Sequence, residues 1–205
     1  GVDRAKGVYM SVVWITGVSC SGKSTLVKNI INQFDNFQIC KPVGKIRCTK
    51  FDDLLVVGGT YTKKVNSPGL DGDSRGSRVK RNNNFKELIN REYPKYENIL
   101  CETRTPAFFN KDILYWLIDT HKLQIFYLTT EKGILDDRAK NRKGKNNKQN
   151  FWDRKRTDKR TMKEFSSLEI LISDEKISKY TKELRNDNIE DSMKNTKTIC
   201  EFMGV

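Results

Sequence analysis

Nine consecutive residues, Gly17 to Thr25, have the types and the spacing of a phosphate-binding loop. Their sequence, GVSCSGKST, follows the apolar run VVWI at 12–15 and precedes apolar residues at helical spacing. Glycines let such a loop turn its backbone N–H groups toward phosphate oxygens, and the following helix adds its positive N-terminal end. Strand, loop and helix signals agree, which argues against a chance glycine-rich turn. The sequence therefore predicts a nucleoside triphosphate site.

Two side chains of this loop have distinct expected roles. Lys23 is expected to reach the β- and γ-phosphates, and the Ser24 hydroxyl is expected to ligate Mg²⁺. The predicted cofactors are accordingly ATP and Mg²⁺. The thiol of Cys20 is expected to point away from the nucleotide. The remaining contacts to ATP are expected from loop positions Gly17, Ser19, Cys20, Ser21, Gly22 and Thr25.

Alternating hydrophobic patterns predict the elements that position this loop. Strands are predicted at 12–16, 46–49, 54–57, 98–101 and 123–128, and helices at 24–34, 85–93, 112–120, 131–141, 162–172 and 189–203. A polar, glycine-rich loop is predicted between 60 and 81. Strands that alternate with helices favour a three-layer α/β fold with a mainly parallel sheet, whose ligands bind at the carboxyl ends of the strands.

Length and composition favour one domain. The chain has 205 residues, of which 10–205 are assigned to the domain and 1–9 to an expression remnant or a disordered tail. Five cysteines without CxxC spacing predict free thiols in a reducing compartment. No apolar run approaches the roughly 20 residues that cross a bilayer. We expect a soluble, cytoplasmic protein that does not bind a membrane.

Positive charge is concentrated in one segment. The formal net charge is +13, and residues 138–163 contain twelve Lys and Arg against two Asp. Such a segment favours a polyanionic partner, and DNA is the predicted one. Phe151 and Trp152 lie within it. They have two open interpretations, stacking on a nucleic acid base or packing in the core.

Three classes of protein use a phosphate-binding loop of this kind. A switch GTPase is disfavoured because the DxxG-like run at 73–76 follows, rather than precedes, the NKxD-like run at 49–52. A motor ATPase is disfavoured because no acidic pair follows an apolar strand. A small kinase remains. Its catalysis depends mainly on alignment and charge neutralisation.

Candidate residues exist for each part of kinase chemistry. Glu102 ends a predicted strand and is expected to support Mg²⁺. Asp71 or Asp73 is expected to orient the acceptor hydroxyl, with Asp71 preferred. Arg138 and Arg142, one helical turn apart, are expected to neutralise the transferring phosphoryl group. Each has a structural alternative: a surface ion pair for Glu102, turn capping for the aspartates and a solvated charged face for the arginines.

The order of these motifs resembles that of small phage P-loop kinases, in particular the 5-hydroxymethyldeoxyuridine DNA kinases. In that family a strand ends in Gly-x-Tyr, a Gly-x-Asp-x-x-Ser signature follows, and a carboxylate closes the next strand. These features fall on Gly59 with Tyr61, on the signature that begins at Gly69, and on Glu102. The resemblance covers roughly residues 12 to 142. It implies a P-loop kinase fold with a basic lid at about 138–163, a location in the host cytoplasm if a phage encodes the chain, and substrate-binding roles for Tyr61, Gly69, Asp71, Asp73, Ser74 and Arg75.

The expected function is ATP- and Mg²⁺-dependent phosphorylation of a hydroxyl on 5-hydroxymethyluracil in DNA. Such a base must leave the helical stack before it can react, at a cost of a few kcal/mol. The alternative is a nucleoside or nucleotide kinase with a free small acceptor. A third hypothesis, without catalysis, is a nucleic-acid-binding module that ATP switches between conformations.

Overall fold

One seven-stranded sheet organises the chain. The computed structural model describes residues 10–44, 46–59, 61, 70, 77–104, 110–141 and 162–205. The sheet order is β2-β3-β4-β5-β1-β6-β7. In chain order the strands are β1 (Ser11–Gly17), β2 (Gln38–Cys40), β3 (Cys48–Phe51), β4 (Leu54–Val57), β5 (Asn98–Thr103), β6 (Leu123–Thr129) and β7 (Thr181–Arg185).

Helices cover both faces of this sheet. In the described ranges they are α1 (Lys23–Ile31), α2 (Arg78–Glu92), α3 (Lys111–Thr120), α4 (Lys132–Asn141), α5 (162–168), α6 (Ile170–Ser173), α7 (Glu175–Ser178) and α8 (Ile189–Met203), with a 3₁₀ turn at Tyr93–Lys95. Helix α1 packs against α8, and α3 packs against α7. The arrangement confirms the predicted three-layer α/β fold.

Parallel pairing dominates the sheet. Among the described strands, β4, β5, β1, β6 and β7 pair in parallel, whereas the β2–β3 and β3–β4 pairs are antiparallel. In the register of the central strands, Thr16 of β1 lies opposite Thr103 of β5 and Tyr127 of β6. The carboxyl ends of these three strands therefore meet at one edge, where the phosphate-binding loop leaves β1.

Alternate residues of the central strand bury into two separate cores. Val12 and Trp14 face the core beneath α2, α3, α6 and α7, whereas Val13 and Ile15 face the core beneath α1 and α8. All four side chains are fully buried. This is the pattern of a parallel strand covered on both faces, which reads as a continuous apolar run.

Two strands of the sheet escape prediction from the sequence. Strand β2 has three residues and a largely exposed pattern. Strand β7 has the sequence TKELR and buries only Leu184. Both are edge strands, so neither has the buried apolar run that reveals a central strand.

Some predicted bounds are also wrong. Helix α2 begins at Arg78, not Phe85, because the Ser77 side chain accepts a hydrogen bond from the Lys80 N–H and caps it. Residues 78–81, assigned to the long loop, are therefore helical. The strand predicted at 46–49 is β3, shifted toward the C-terminus. The helix predicted at 162–172 is divided between α5 and α6 by a turn at Glu169.

Two further observations concern the cysteines and the lengths of the helices. All five cysteines fall within the described ranges and are free thiols, as predicted. None of the helices that the structure describes is both long and apolar enough to span a bilayer.

Candidate nucleotide and phosphoryl-transfer site

The phosphate-binding loop lies at the point of the sheet where connections diverge to opposite sides. It joins β1 to α1, and β1 is flanked by β5 and β6. The chain passes from β1 to β4 and β5 on one side, and then to β6 and β7 on the other. Ligands of open α/β sheets bind in the crevice at such a switch point. The position of the loop is thus the one expected of a nucleotide site.

The backbone conformation of the loop suits phosphate binding. Gly22 has a φ of 93°, and a Cβ there would lie 2.3 Å from Nδ2 of Asn186. Gly22 is also the N-cap of α1, and no side chain caps this helix at that position. The N–H groups of the first turn, from Lys23 onward, are therefore not served by an N-cap side chain. An anionic ligand is a suitable partner for them.

Side chains hold three carbonyl groups of the loop. Lys23 Nζ donates to the Val18 carbonyl at 2.8 Å, and Asn186 Nδ2 donates to the Ser21 carbonyl at 2.6 Å. Arg138 donates to the Cys20 carbonyl at 3.3 Å. Because each peptide unit is planar, holding a carbonyl also fixes the direction of the N–H group that follows it. The loop is thereby held in one conformation.

The two predicted metal residues lie in contact. The Ser24 hydroxyl donates to Oε1 of Glu102 at 2.8 Å. The Tyr61 hydroxyl donates to Oε2 of the same carboxylate at 2.5 Å. Glu102 shares its face of β5 with Leu100, in the core under α1, and is only 3% exposed. The alternative in which Glu102 forms a surface ion pair is therefore wrong.

The donor set fits Mg²⁺. A serine hydroxyl and a carboxylate are hard oxygen ligands, and Mg²⁺ bound with a nucleotide uses one or two protein groups together with phosphates and water. No cluster of three or more His, Cys, Asp and Glu side chains suited to a metal occurs among the described residues. Ser24 and Glu102 thus match a metal that arrives with a phosphate ligand.

Arg138 lies beside the loop with its guanidinium engaged by backbone. Besides the Cys20 carbonyl, it donates to the carbonyls of Asn186 at 3.0 Å and Asp187 at 2.8 Å. It therefore joins α4 to the phosphate-binding loop and to the end of β7. Its proposed role in neutralising the transferring group stays a prediction.

Most predicted acceptor residues lie outside the described residues. Leu70 is described and fully buried, and its backbone N lies 2.4 Å from the position a Cβ would take at Gly58, so only glycine fits there. The assignments that lie outside the described residues are those of Gly69, Asp71, Asp73, Ser74, Arg75, Arg142, Phe151 and Trp152. They stay predictions. Tyr61 is described, and its hydroxyl contacts Glu102.

Three residues of the site were missed by the sequence analysis. Asn186 follows an edge strand that has no apolar signal. Glu164 accepts hydrogen bonds from the Ser19 N–H at 2.7 Å and from the Ser19 hydroxyl at 2.9 Å. Arg104 Nε lies 3.3 Å from Oε1 of Glu164. The available signals were weak: Arg104 follows Glu102 by two positions, and Glu164 is the first glutamate after the basic run.

Two groups near the site, one carboxyl and one thiol, have shifted pKa values. The Glu131 N–H and the Arg185 side chain lower the pKa of Asp187, so this carboxylate stays ionised. Burial raises the pKa of the Cys101 thiol, one residue before Glu102, so it stays protonated. A protonated, fully buried thiol is a poor nucleophile.

Comparisons with known proteins support the fold only. No family model and no curated protein matches the sequence. A solved structure of an uncharacterised protein from Eubacterium ventriosum is similar, with 12% identity, a TM-score of 0.50 and coverage of 95% of this chain and 98% of the other. Shikimate kinase from Bacteroides thetaiotaomicron is similar with 13% identity, a TM-score of 0.48 and coverage of 96% and 99%.

Proposed function

We propose that this chain is a Mg²⁺-dependent phosphotransferase that moves the terminal phosphoryl group of ATP to the hydroxyl of a small acceptor. The contact between Ser24 and Glu102 carries the proposal. It joins the start of α1, next to the phosphate-binding Lys23, to the carboxyl end of β5. A serine hydroxyl beside a buried carboxylate at this point offers the two oxygen ligands that a nucleotide-bound Mg²⁺ would take from the protein.

Each residue has a role that follows from its position. The loop backbone and Lys23 bind and orient the triphosphate, and Ser24 and Glu102 hold the metal. Mg²⁺ held by Ser24 and Glu102 would supply positive charge to offset the charge that develops on the transferring phosphoryl group. Tyr61 orients the carboxylate of Glu102 through its hydroxyl. Asp71 is the proposed acceptor base, with Asp73 as the alternative.

Burial favours a small acceptor. Glu102 and Tyr61 are 3% and 1% exposed, and Lys23 is 7% exposed. A free nucleoside or nucleotide needs no prior unstacking to bring its hydroxyl to a buried site. A base in duplex DNA must first leave the stack, which costs a few kcal/mol. We therefore prefer the free acceptor to the DNA base that the sequence analysis placed first.

A DNA base remains the second candidate. The observation in its favour is the cluster of twelve Lys and Arg between 138 and 163, together with the resemblance to 5-hydroxymethyldeoxyuridine DNA kinases. Contacts of that charge to DNA phosphates would weaken steeply as salt rises.

Transfer of labelled phosphate from γ-labelled ATP separates the candidates. The acceptor pools are free nucleosides with mononucleotides, and a DNA duplex that contains 5-hydroxymethyluracil. We expect label on a small acceptor, and loss of transfer in Lys23→Met. Lys28→Met, the same substitution farther along α1, serves as the matched control.

The other distributions of label have distinct meanings. Label on the polymer alone would favour the second candidate over the first. Release of labelled inorganic phosphate alone, or no turnover with either pool, would contradict the phosphotransferase proposal.

A further inference from the structure

A buried carboxylate outside the predicted site accepts two hydrogen bonds from the phosphate-binding loop. Glu164 lies on α5 and is 4% exposed. Its Oε2 accepts from the Ser19 N–H at 2.7 Å, and its Oε1 accepts from the Ser19 hydroxyl at 2.9 Å. The backbone N–H and the hydroxyl of Ser19 thus donate to different oxygens of the Glu164 carboxylate. The backbone plane and the side-chain torsion of Ser19 are fixed together.

The same carboxylate reaches the segment just after β5, the strand that carries the proposed metal ligand Glu102. Arg104 Nε lies 3.3 Å from Oε1 of Glu164, and Arg104 follows Glu102 by two residues. A single carboxylate therefore connects α5, the phosphate-binding loop and the segment after β5. These three parts must keep a fixed relation if phosphates at the loop are to meet a metal at Glu102.

Packing alone does not explain a charged group here. A buried carboxylate loses hydration that only good partners offset, and an apolar side chain of similar size is often at least as stabilising. A negative charge beside a loop built for phosphates also opposes the ligand, unless a cation such as Arg104 balances it. These contacts therefore suit a role for Glu164 in fixing the conformation of the phosphate-binding loop.

We infer that Glu164 is a positioning residue that holds the phosphate-binding loop in the conformation that binds nucleotide. In this role it acts through Ser19 and Arg104 rather than on the reacting atoms. The inference rests on the proposed function, because it assumes that the loop binds a triphosphate.

Calorimetric titration with Mg²⁺ and a non-hydrolysable ATP analogue tests this role. Glu164→Ala removes the two hydrogen bonds to Ser19 and the ion pair with Arg104, and we expect its nucleotide affinity to fall about tenfold, because part of the binding free energy must then be used to order the loop. Glu164→Gln keeps an oxygen that can accept from the Ser19 N–H but loses the charge that pairs with Arg104. We expect it to restore most of the lost affinity, with a residual deficit of about threefold.

Glu92→Ala is the matched control. Glu92 is a 5% exposed carboxylate on α2, paired with Lys95 at 3.0 Å and with Arg91 at 3.3 Å, and it touches no loop residue in those contacts. Thermal unfolding without nucleotide is measured for every variant. Positioning by Glu164 predicts that Glu92→Ala loses stability but keeps wild-type nucleotide affinity, whereas Glu164→Ala loses affinity as well.

Every other outcome contradicts either the positioning role or the proposed function. Wild-type affinity in Glu164→Ala and Glu164→Gln would overturn the positioning role, as would a loss of affinity in Glu92→Ala that matches its loss of stability. If Glu164→Ala does not fold, Glu164→Gln alone decides, because unchanged affinity in that variant overturns the role. Absence of nucleotide binding by the wild-type chain would instead contradict the proposed function.

Discussion

Glu102 is the residue on which the proposed chemistry depends most. Its two carboxylate oxygens accept hydrogen bonds from Ser24 on α1 and from Tyr61 after β4. The carboxylate is buried, so its charge must be compensated in the working protein. Under the proposed function, a divalent cation held together with the bound phosphates would add to that compensation, which would connect metal binding to the geometry of the loop.

Glu102→Gln should weaken the dependence on Mg²⁺ without abolishing nucleotide binding. The substitution keeps the size and an accepting oxygen but removes the charge, so we expect the transfer rate to fall about 10–100-fold. ATP affinity without Mg²⁺ should change little or rise slightly, because repulsion of the phosphates is relieved. Initial rates over a range of Mg²⁺ concentrations measure the effect.

Tyr61→Phe is the companion variant for this test. It removes one hydrogen bond to Glu102 and leaves the charge, so its rate should fall less than that of Glu102→Gln. A Glu102→Gln protein whose rate and Mg²⁺ dependence both match the wild type would rule out a role for this carboxylate in metal binding.

Site residues were predictable where a short motif carries them. Lys23 and Ser24 belong to a contiguous loop, and Glu102 follows an apolar run, so a local pattern suffices to predict where these three side chains lie, while their roles stay predictions. Glu164 and Asn186 reach the loop from 145 and 165 positions away in sequence. Their roles depend on the packing of α5 and on the pairing of an edge strand, and neither leaves a local pattern.

At the scale of elements, one carboxylate joins α3 to α7. Asp174 is the N-cap of α7 and accepts from the N–H groups of Lys176 at 3.0 Å and Ile177 at 3.1 Å. From α3, the Tyr115 hydroxyl donates to it at 2.9 Å, and Lys111 Nζ lies 2.9 Å away. Helix α7 has four residues, so it depends on such contacts to keep its place.

The Asp174 contacts predict how stability depends on pH. The hydrogen bond from Lys111 and the backbone N–H of Ile177 lower the pKa of Asp174. A carboxyl whose folded pKa is below its unfolded pKa stabilises the fold above about pH 4, and this contribution is lost as the pH falls through the folded pKa.

Asp174→Asn should therefore melt at a lower temperature than the wild type at pH 7. Asparagine keeps a capping oxygen, so the difference reports the charge. We expect a constant difference in Tm between pH 7 and about pH 5, and a smaller one as the pH falls below about 4. A Tm difference that is unchanged at the lowest pH would show that Asp174 acts through its shape alone.

Strands and helices were predicted correctly where their burial produces a recognisable apolar pattern in the sequence. Strand β1 is buried throughout and apolar at 12–15 because both of its faces are covered, and α8 ends near the predicted residue because its buried positions recur at helical spacing. The start of α2 was missed because its first turns are polar and only the cap at Ser77 marks it. Strand β7 was missed because its side chains are mostly solvated.

At the scale of the whole molecule, the phosphate-binding loop is a meeting point of distant segments. Arg138 of α4, Glu164 of α5 and Asn186 after β7 all donate to or accept from residues 19–21. Nucleotide that binds this loop in the folded chain, and not in the unfolded one, stabilises the segments that converge on it. The sequence located the loop, and only the tertiary structure shows what holds it.

Titration calorimetry of ATP with and without Mg²⁺ tests the central claim most directly, with the wild-type chain compared with Ser24→Ala. The account predicts one binding site that Mg²⁺ strengthens in the wild type, and a variant that still binds ATP but loses most of that strengthening, because the hydroxyl beside Glu102 is gone. Absence of ATP binding by the wild type, or an equal effect of Mg²⁺ in both proteins, would contradict it.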